Sequence, residues 1–391
     1  MKTVLIIFGT RPEAIKMCPL VRELKTHREF QTLVAVTGQH REMLTEVLKV
    51  FSLTPEFDLD VMKPGQTLLA LNGALLFRIG ELLETLRPDL VLVHGDTATA
   101  FAAATAAFFC GIPIGHVEAG LRSGNIHAPF PEEYNRSAIS LISTLDFAPT
   151  EVAKETLLAM GKPCARVFVT GNTVVDALHF TRDLRGRIPL TEDAEGKHIV
   201  FLTSHRRENL GDAQRSIFRA AVRIADALPD VRIICPLHRN PQVRTAAREI
   251  FCARKHPHIF LTEPFDVVTC HHVLSQSTLV LTDSGGIQEE ASALGVPLLV
   301  LRDTTERPEI VRAGAARLVG TDEDTVTAEA CRILSDERYR KSFEKSTALY
   351  GDGKASVRIA EKISEFLANQ MLFLDKPIEK CYNKVKSCGN A

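Results

Sequence analysis

The chain has 391 residues, 45% hydrophobic and 24% charged, with a net charge of −1 from 47 Lys and Arg against 48 Asp and Glu. That length argues for two domains with full cores, and the neutral balance gives no support for nucleic-acid binding, which favours a basic surface. Nine cysteines run from Cys18 to Cys388 without a C-x-x-C pair, so neither a disulfide framework nor a zinc ribbon is indicated, and free thiols in a reducing cytosol fit best.

Strand-like runs alternate with helical ones, the pattern of parallel α/β units. The first unit is Thr3–Phe8 as strand, Gly9-Thr10-Arg11 as turn and Pro12–Lys25 as helix, with Pro12 at a first-turn position that needs no N–H. Thr3–Phe8 is too short for the apolar region of a signal peptide. Leu33–Thr37 is the next strand, followed by a helix to about Phe51, an irregular stretch at Phe57–Thr67 and a helix at Leu68–Leu86. Leu90–His94 is a strand, Thr99–Phe109 a helix and Ile112–Val117 a strand. The uncharged run Thr97–Gly115 is broken by Gly111-Ile112-Pro113, so it reads as buried helix and strand, and no membrane span is expected. Pro131 opens a helix to about Thr144, and Phe147–Pro149 and Val167–Thr170 are further strands. Thr170-Gly171-Asn172 is the expected hinge, followed by a helix at Thr173–Leu184 and a charged loop at Arg185–Lys197. The second half restarts at His198–Thr203 and continues through Val231–Cys235, His258–Leu261, Leu279–Thr282, Pro297–Leu301 and Ala316–Val319. Beyond a helix ending near Leu367, Ala368–Ala391 reads as a tail.

The fold class expected is α/β, with two Rossmann-like doubly wound domains facing a central cleft. Residues 1–170 form the first domain and 171–356 the second.

The stretch Leu279–Leu301 carries the clearest ligand signal: strand, Asp283-Ser284-Gly285-Gly286 turn, helix, strand. Ligands of parallel sheets sit past the carboxyl ends of strands, and a glycine turn opening a helix presents N–H groups to an anion. One exposed helix end contributes only ~0.3–1 kcal/mol, so it orients a phosphate without holding it. Glu290, one turn in, suits ribose hydroxyls. Ser284 as an ordinary N-cap is the plainer alternative.

Arg11 and Lys16 could reach phosphate oxygens or be solvated charges. Asp96 and Glu118 end consecutive strand-like runs, and Glu132 opens a helix in the same half. Three carboxylates at one sheet edge could supply a general acid and a general base, if burial or repulsion separates their pKa values. Asp96 could instead cap a helix, and Glu132 could pair with Arg136 at i,i+4. Glu118, which interrupts an apolar strand, has the weakest such alternative. His205-Arg206-Arg207 and His238-Arg239 follow strands of the second half and suit phosphate contact. No metal, G-x-S-x-G, G-x-G-x-x-G or P-loop pattern occurs.

Together these residues resemble the non-hydrolysing UDP-N-acetylglucosamine 2-epimerases. The matching motifs are Gly9–Lys16, His94–Thr97, His116–Arg122, Pro131–Arg136, His205–Asn209, Thr282–Glu290, Arg302–Glu309 and Tyr350–Ser356, in order over roughly residues 1–367. The resemblance implies a glycosyltransferase-B-type fold, with a last helix at about 357–367 crossing back to the first domain. It implies interconversion of UDP-GlcNAc and UDP-ManNAc through UDP and 2-acetamidoglucal, with no nicotinamide or metal. By the same route Asp96, Glu118, Glu132 and His205 are catalytic. Arg11, Lys16, Arg136, Cys270, Ser284, Gly285, Gly286, Glu290 and Arg307 bind substrate. Gln39, Glu42, Arg206 and His238 match a second, activating substrate site. Family members commonly carry an aromatic residue near Cys270, Gln at Glu42 and Arg at Gly65. The expectation is a cytoplasmic homodimer that supplies UDP-ManNAc for a surface polysaccharide, without membrane or nucleic-acid partners. A hydrolysing epimerase releasing free ManNAc, and a UDP-sugar sensor without turnover, are the alternatives.

Overall fold

The computed structural model describes residues 1–38, 41–63, 65–184, 197–252, 256–343 and 349–369. The expected loop at 185–196, the tail beyond 369 and Gln39 lie outside the described residues, as does the side chain of Glu42.

The first sheet contains β1 (Lys2–Phe8), β2 (Phe30–Val36), β3 (Phe57–Asp58), β4 (Leu90–His94), β5 (Ile114–Val117), β6 (Leu145–Ala148) and β7 (Val167–Val169). Its helices are α1 (Arg11–Leu24), α2 (Arg41–Val50), α3 (Leu68–Leu86), α4 (Ala98–Phe109), α5 (Glu132–Ile142) and α6 (Glu151–Ala159). α7 (Thr173–Arg182) leads out of this domain. The second sheet contains β8 (His198–Thr203), β9 (Val231–Pro236), β10 (Ile259–Thr262), β11 (Leu279–Thr282), β12 (Leu298–Val300) and β13 (Ala316–Leu318). Its helices are α8 (Asp212–Ala227), α9 (Pro241–Ala247), α10 (Val267–Gln276), α11 (Gly285–Ala293), α12 (Pro308–Arg312), α13 (Glu323–Ser335) and α14 (Glu337–Lys341), and α15 (Ala355–Ala368) closes the described chain.

Strand order is β3-β2-β1-β4-β5-β6-β7 in the first sheet and β10-β9-β8-β11-β12-β13 in the second. The pairings are parallel. Parallel strands are covered on both faces and read as unbroken apolar runs, which is why β1, β4 and β11 are legible as Val4–Phe8, Leu90–Val93 and Leu279–Leu281, all buried. In both sheets the order reverses beside the first strand, at β1/β4 and at β8/β11. A crevice opens outside the carboxyl ends of strands at such a point. Gly9-Thr10-Arg11, Gly95-Asp96, Ser204-His205 and Asp283-Ser284 therefore all arrive at crevices.

Local chemistry starts the helices at these exits. Thr10 caps α1 in a capping box: its hydroxyl accepts from the Glu13 N–H, and Glu13 Oε2 accepts from the N–H groups of Gly9 and Thr10 at 3.0 and 2.8 Å. Thr97 caps α4 by accepting from Ala100 N–H at 3.0 Å. The alternative in which Asp96 is that cap is therefore corrected by one residue. Phe57–Thr67, expected to be irregular, contributes the two-residue strand β3.

Two crossings join the halves and are tied together. α7 packs on α1 through Ala177 and Phe180 and reaches the second core through Val174 and Val175. α15 returns to α1, burying Ile359, Ala360, Ile363 and Phe366 in the first core. The Asn172 N–H donates to the Tyr350 carbonyl at 2.8 Å. Asp176 accepts from the Ala355 and Ser356 N–H groups at 3.1 and 2.8 Å, satisfying first-turn donors of α15 that would otherwise lack partners. Among the described residues no helix is long and apolar enough to cross a membrane.

Candidate functional site

β4 and β5 run in register, with His94 opposite Val117, so Asp96 and Glu118 leave the same sheet edge. Glu118 has φ +63°, a left-handed conformation that costs about 1–3 kcal/mol for a residue with a side chain and is characteristic of functional sites. Its carboxylate is held by an ion pair with Lys16, by Asn172 Nδ2–H at 2.9 Å and by His94, whose Nε2 lies 3.6 Å away. Burial pushes the Glu118 carboxyl up, but the charges of Lys16 and His94 outweigh it and hold it well below the usual carboxylate range. Burial likewise works against the Lys16 ammonium, and Glu118 and Glu289 more than offset it, so Lys16 stays charged.

Asp96 pairs with Arg136, whose Nη1 also lies 3.3 Å from Glu133 Oε2. Glu133 accepts from the Ser123 and Gly124 N–H groups at 3.0 and 3.3 Å, fixing the loop between β5 and α5. Glu132 is different. Its Oε2 is buried without a hydrogen-bond partner, a costly state for a carboxylate that a ligand would relieve.

Across the cleft, Ser284 occupies the N-cap of α11 but makes no side-chain capping bond. A Cβ at Gly285 would sit 2.5 Å from Arg307 Nη1, so a side chain there would displace the Arg307 guanidinium. Asp283 is fully buried and accepts from the Ser204 hydroxyl, from the His205 and Arg206 N–H groups and from Asn209 Nδ2, each at 2.9 Å. That web shapes the β8 exit and leaves His205 stacked on His238, centroids 5.0 Å apart. Burial lowers the His205 pKa against the pull of Asp283, so the ring is neutral near pH 7 and offers a single N–H. Glu290 lies 3.7 Å from His271 Nε2, and His271 Nδ1 is 2.7 Å from the Thr181 hydroxyl.

Among the described residues, two polar contacts reach directly from α1 to the second domain. Arg11 Nη2 donates to the Phe265 carbonyl at 2.5 Å, and Lys16 Nζ meets Glu289 Oε2 at 2.5 Å. Glu289 Oε1 is also gripped by Arg307, with Nε at 2.7 Å and Nη2 at 2.6 Å. Cations and carboxylates alternate here among largely buried side chains, with hydroxyl, N–H and guanidinium donors on one wall and carboxylates paired with cations on the other.

The sequence model described as UDP-N-acetylglucosamine 2-epimerase matches residues 22–364. The chain belongs to that family. It is similar to the UDP-N-acetylglucosamine 2-epimerase of Bacillus subtilis, at 49% identity over 92% of this chain and 94% of the relative. It is similar to that of Escherichia coli at 44% identity, over 92% and 98% of the two chains. Among solved structures, the S. aureus MnaA–UDP co-structure superposes with a TM-score of 0.90 at 44% identity, covering 94% of this chain and 97% of that one. The UDP-GlcNAc 2-epimerase of Neisseria meningitidis bound to UDP-GlcNAc gives 0.88 at 40% identity, covering 93% and 100%. Two parallel-sheet α/β domains of the glycosyltransferase-B kind are thus a shared architecture of the family.

The structure brings Lys16, Asp96, Glu118 and Arg136 to one wall, and His205, Ser284, Gly285, Gly286, Glu290 and Arg307 to the other. Lys16 is not a solvated charge, since its side chain is 6% exposed and ion-paired on both sides. Arg136 binds Asp96 and Glu133, so the alternative of an i,i+4 pair with Glu132 gives way to an i,i+3 one. Cys270 lies half-buried on α10, and burial pushes its thiol up. Of the four residues expected at a second site, Arg206 and His238 lie beside His205 and Asp283, while Gln39 and the Glu42 side chain are outside the described residues. Among the described residues no His, Cys, Asp and Glu group is arranged to hold a metal. Glu289 and Glu133 were given no site role from the sequence, and Asn172 and Asp283 entered only as parts of the hinge and the turn. The one available signal was polar residues in otherwise apolar surroundings, and it does not say which partner each meets.

Proposed function

We propose that the protein interconverts UDP-GlcNAc and UDP-ManNAc without hydrolysis, as an isomerase. The observation that carries this reading is the ionised, immobilised Glu118 carboxylate at a strand exit facing the α11 glycine turn across a closed cleft. A carboxylate of the Asp96, Glu118 and Glu132 set takes the C2 proton as the C1–O bond to UDP breaks. The electron pair of the C2–H bond becomes the C1=C2 bond of 2-acetamidoglucal, and the C1–O pair leaves with UDP. Re-addition of the diphosphate oxygen at C1 and delivery of a proton to the other face of C2 complete the exchange. Two faces of one carbon require acid–base groups on both sides, which three carboxylates at one edge can supply.

General base catalysis contributes about 10²–10⁴-fold, and the weakly acidic C2–H demands more. The further contribution comes from donors fixed where charge develops on the diphosphate, each typically worth about 10²–10³-fold. Arg11, His205, Ser284 and the Gly285-Gly286 N–H groups form that set, and Lys16, Arg136 and Arg307 help hold diphosphate or sugar. Glu290, braced by His271, takes the ribose, and the uracil rests near Cys270. Gln39, Glu42, Arg206 and His238 border a second substrate site.

The protein acts in the cytoplasm as a homodimer and supplies ManNAc for surface polysaccharide. Free thiols at Cys18, Cys110, Cys164, Cys235, Cys270 and Cys331 support a reducing compartment, and an exposed apolar face on α3–α5 supports self-association. Proton NMR of the protein with UDP-GlcNAc in D₂O tests the reaction. UDP-ManNAc should appear with deuterium at C2 of both sugars. UDP with free ManNAc, or no change while UDP-GlcNAc binds, would overturn it.

A further inference from the structure

Three helices meet behind the phosphate turn: α7 packs on α10 and on α11, and α10 packs on α11. Each contributes one polar side chain to a buried row, Thr181 from α7, His271 from α10 and Glu290 from α11. His271 Nδ1 lies 2.7 Å from the Thr181 hydroxyl, and its Nε2 lies 3.7 Å from Glu290 Oε1. That carboxylate oxygen reaches back along the helix, 3.9 Å from where a Cβ on Gly286 would stand. His271 Nε2 is buried without a hydrogen-bond partner among the described residues, a state that calls for an explanation in a native interior.

The two neighbours decide which ring nitrogen carries a proton. A carboxylate only accepts, so a bare Nε2 lone pair facing Glu290 would be repelled, whereas an N–H there is attracted. Nδ1 is then left to accept, and the Thr181 hydroxyl is the donor beside it. The same hydroxyl lies 3.0 and 3.2 Å from the Ala177 and Leu178 carbonyls, but its shortest contact is with the ring. At 3.7 Å the Nε2–H is too far from Glu290 for a hydrogen bond. It steadies the carboxylate by attraction and leaves the oxygen lone pairs open to a ligand.

We propose that Thr181 and His271 are positioning residues for ribose recognition, which hold the Glu290 carboxylate ready for two vicinal hydroxyls and so make the site select ribonucleotides over nucleotides that lack them. This rests on the reading of Glu290 as the ribose acceptor. A buried carboxylate with no donor near it turns towards another one or takes up a proton, and in either state it accepts less well from a diol. His271 acts through Glu290 and not on the ligand itself.

The test is calorimetric affinity for UDP and for dideoxy-UDP, which lacks both ring hydroxyls of the ribose. It is measured on the native protein, His271→Leu, Thr181→Val and Glu290→Ala. The native protein should favour UDP by about tenfold or more, the weight of hydrogen bonds to a charged acceptor. His271→Leu should lose about fivefold or more of that preference through weaker UDP binding, while dideoxy-UDP affinity stays within about twofold. Thr181→Val, nearly unchanged in shape, should lose part of the preference in the same way, and it serves alone if His271→Leu does not fold. A preference unchanged in either folded variant, or an equal loss for both nucleotides, would overturn the inference. A native protein without the preference, or a preference that survives in Glu290→Ala, would instead overturn the ribose reading of Glu290.

Discussion

Glu118 shows how several weak local effects fix one carboxylate. Its left-handed backbone, its place after an apolar strand and its three polar neighbours each limit its freedom. Replacing it by Gln keeps the shape and one acceptor oxygen while removing the charge. Glu118→Gln should bind UDP within a few-fold of wild type and lose about 10²–10⁴-fold in C2 exchange, read by calorimetry and by deuteration. Collapse of UDP binding would make Glu118 a structural residue. His116, two residues earlier, works in the opposite sense. It is fully buried, and its Nε2–H donates to the Gly95 carbonyl at 2.7 Å, fixing the turn that carries Asp96. Burial, only partly offset by Asp146, pushes its pKa down to about 4. The unfolded chain takes up that proton near pH ~6.5, so between there and about 4 only the unfolded state is protonated. Stability therefore falls as pH falls through this window, by about 3 kcal/mol in all. Chemical-denaturation curves at stepped pH should show this loss in the native protein and not in His116→Gln. An unchanged slope in the variant would assign the acid loss to other groups.

At the scale of elements, α7 does more than connect. Asn172 caps it by accepting from the Val174 N–H at 3.0 Å, while its amide donates to Glu118 at 2.9 Å. One side chain thus ties the start of the crossing helix to the Glu118 carboxylate. Asn172→Ala should lose about 0.5–2 kcal/mol through the cap and lose activity as well. Asn172→Ser restores a cap but not the reach to Glu118, so melting temperature should recover while kcat does not. Recovery of both would show that Glu118 does not depend on this contact. β5 and α6 are joined as tightly: Gly120 has φ +93°, and a Cβ there would lie 2.2 Å from the Ala153 carbonyl oxygen. The turn after Glu118 is therefore closed to any side chain, which is why a glycine follows the carboxylate so soon. The glycine was legible in the sequence as a turn, but the helix it presses against was not.

For the whole molecule, the two domains are bound by crossings that hydrogen-bond to each other and by the buried Lys16–Glu289 ion pair across the cleft. The outer surface carries a contrasting feature. α4 lies between α3 and α5, and the three helices expose Leu69 (84%), Phe109 (72%) and Leu141 (76%), together with Phe77 and Phe108. Large exposed apolar side chains on neighbouring helices favour an interaction site, and self-association through them is the expected use. Leu141→Glu should fold normally, since the side chain is exposed in the single chain, and should sediment as a monomer where the native protein sediments as a dimer. A native monomer at micromolar concentration would remove this assignment.

The sequence by itself determined the alternation of strands and helices, the turns at their ends and the identity of most of the charged residues that line the cleft. Parallel strands buried on both faces must be apolar throughout, glycines and caps must stand where helices begin, and a carboxylate at the end of such a strand is conspicuous. Tertiary structure alone decided which charges meet. Lys16 could be read as a surface residue until Glu118 and Glu289 closed around it, and Arg136 as a partner of Glu132 until Asp96 and Glu133 took it. Glu289 was one acid beside another until its helix was set against α1. Helical spacing constrains neighbours three and four residues apart. Contacts between elements distant in the chain depend on sheet register and on how the domains approach, and no local pattern encodes them.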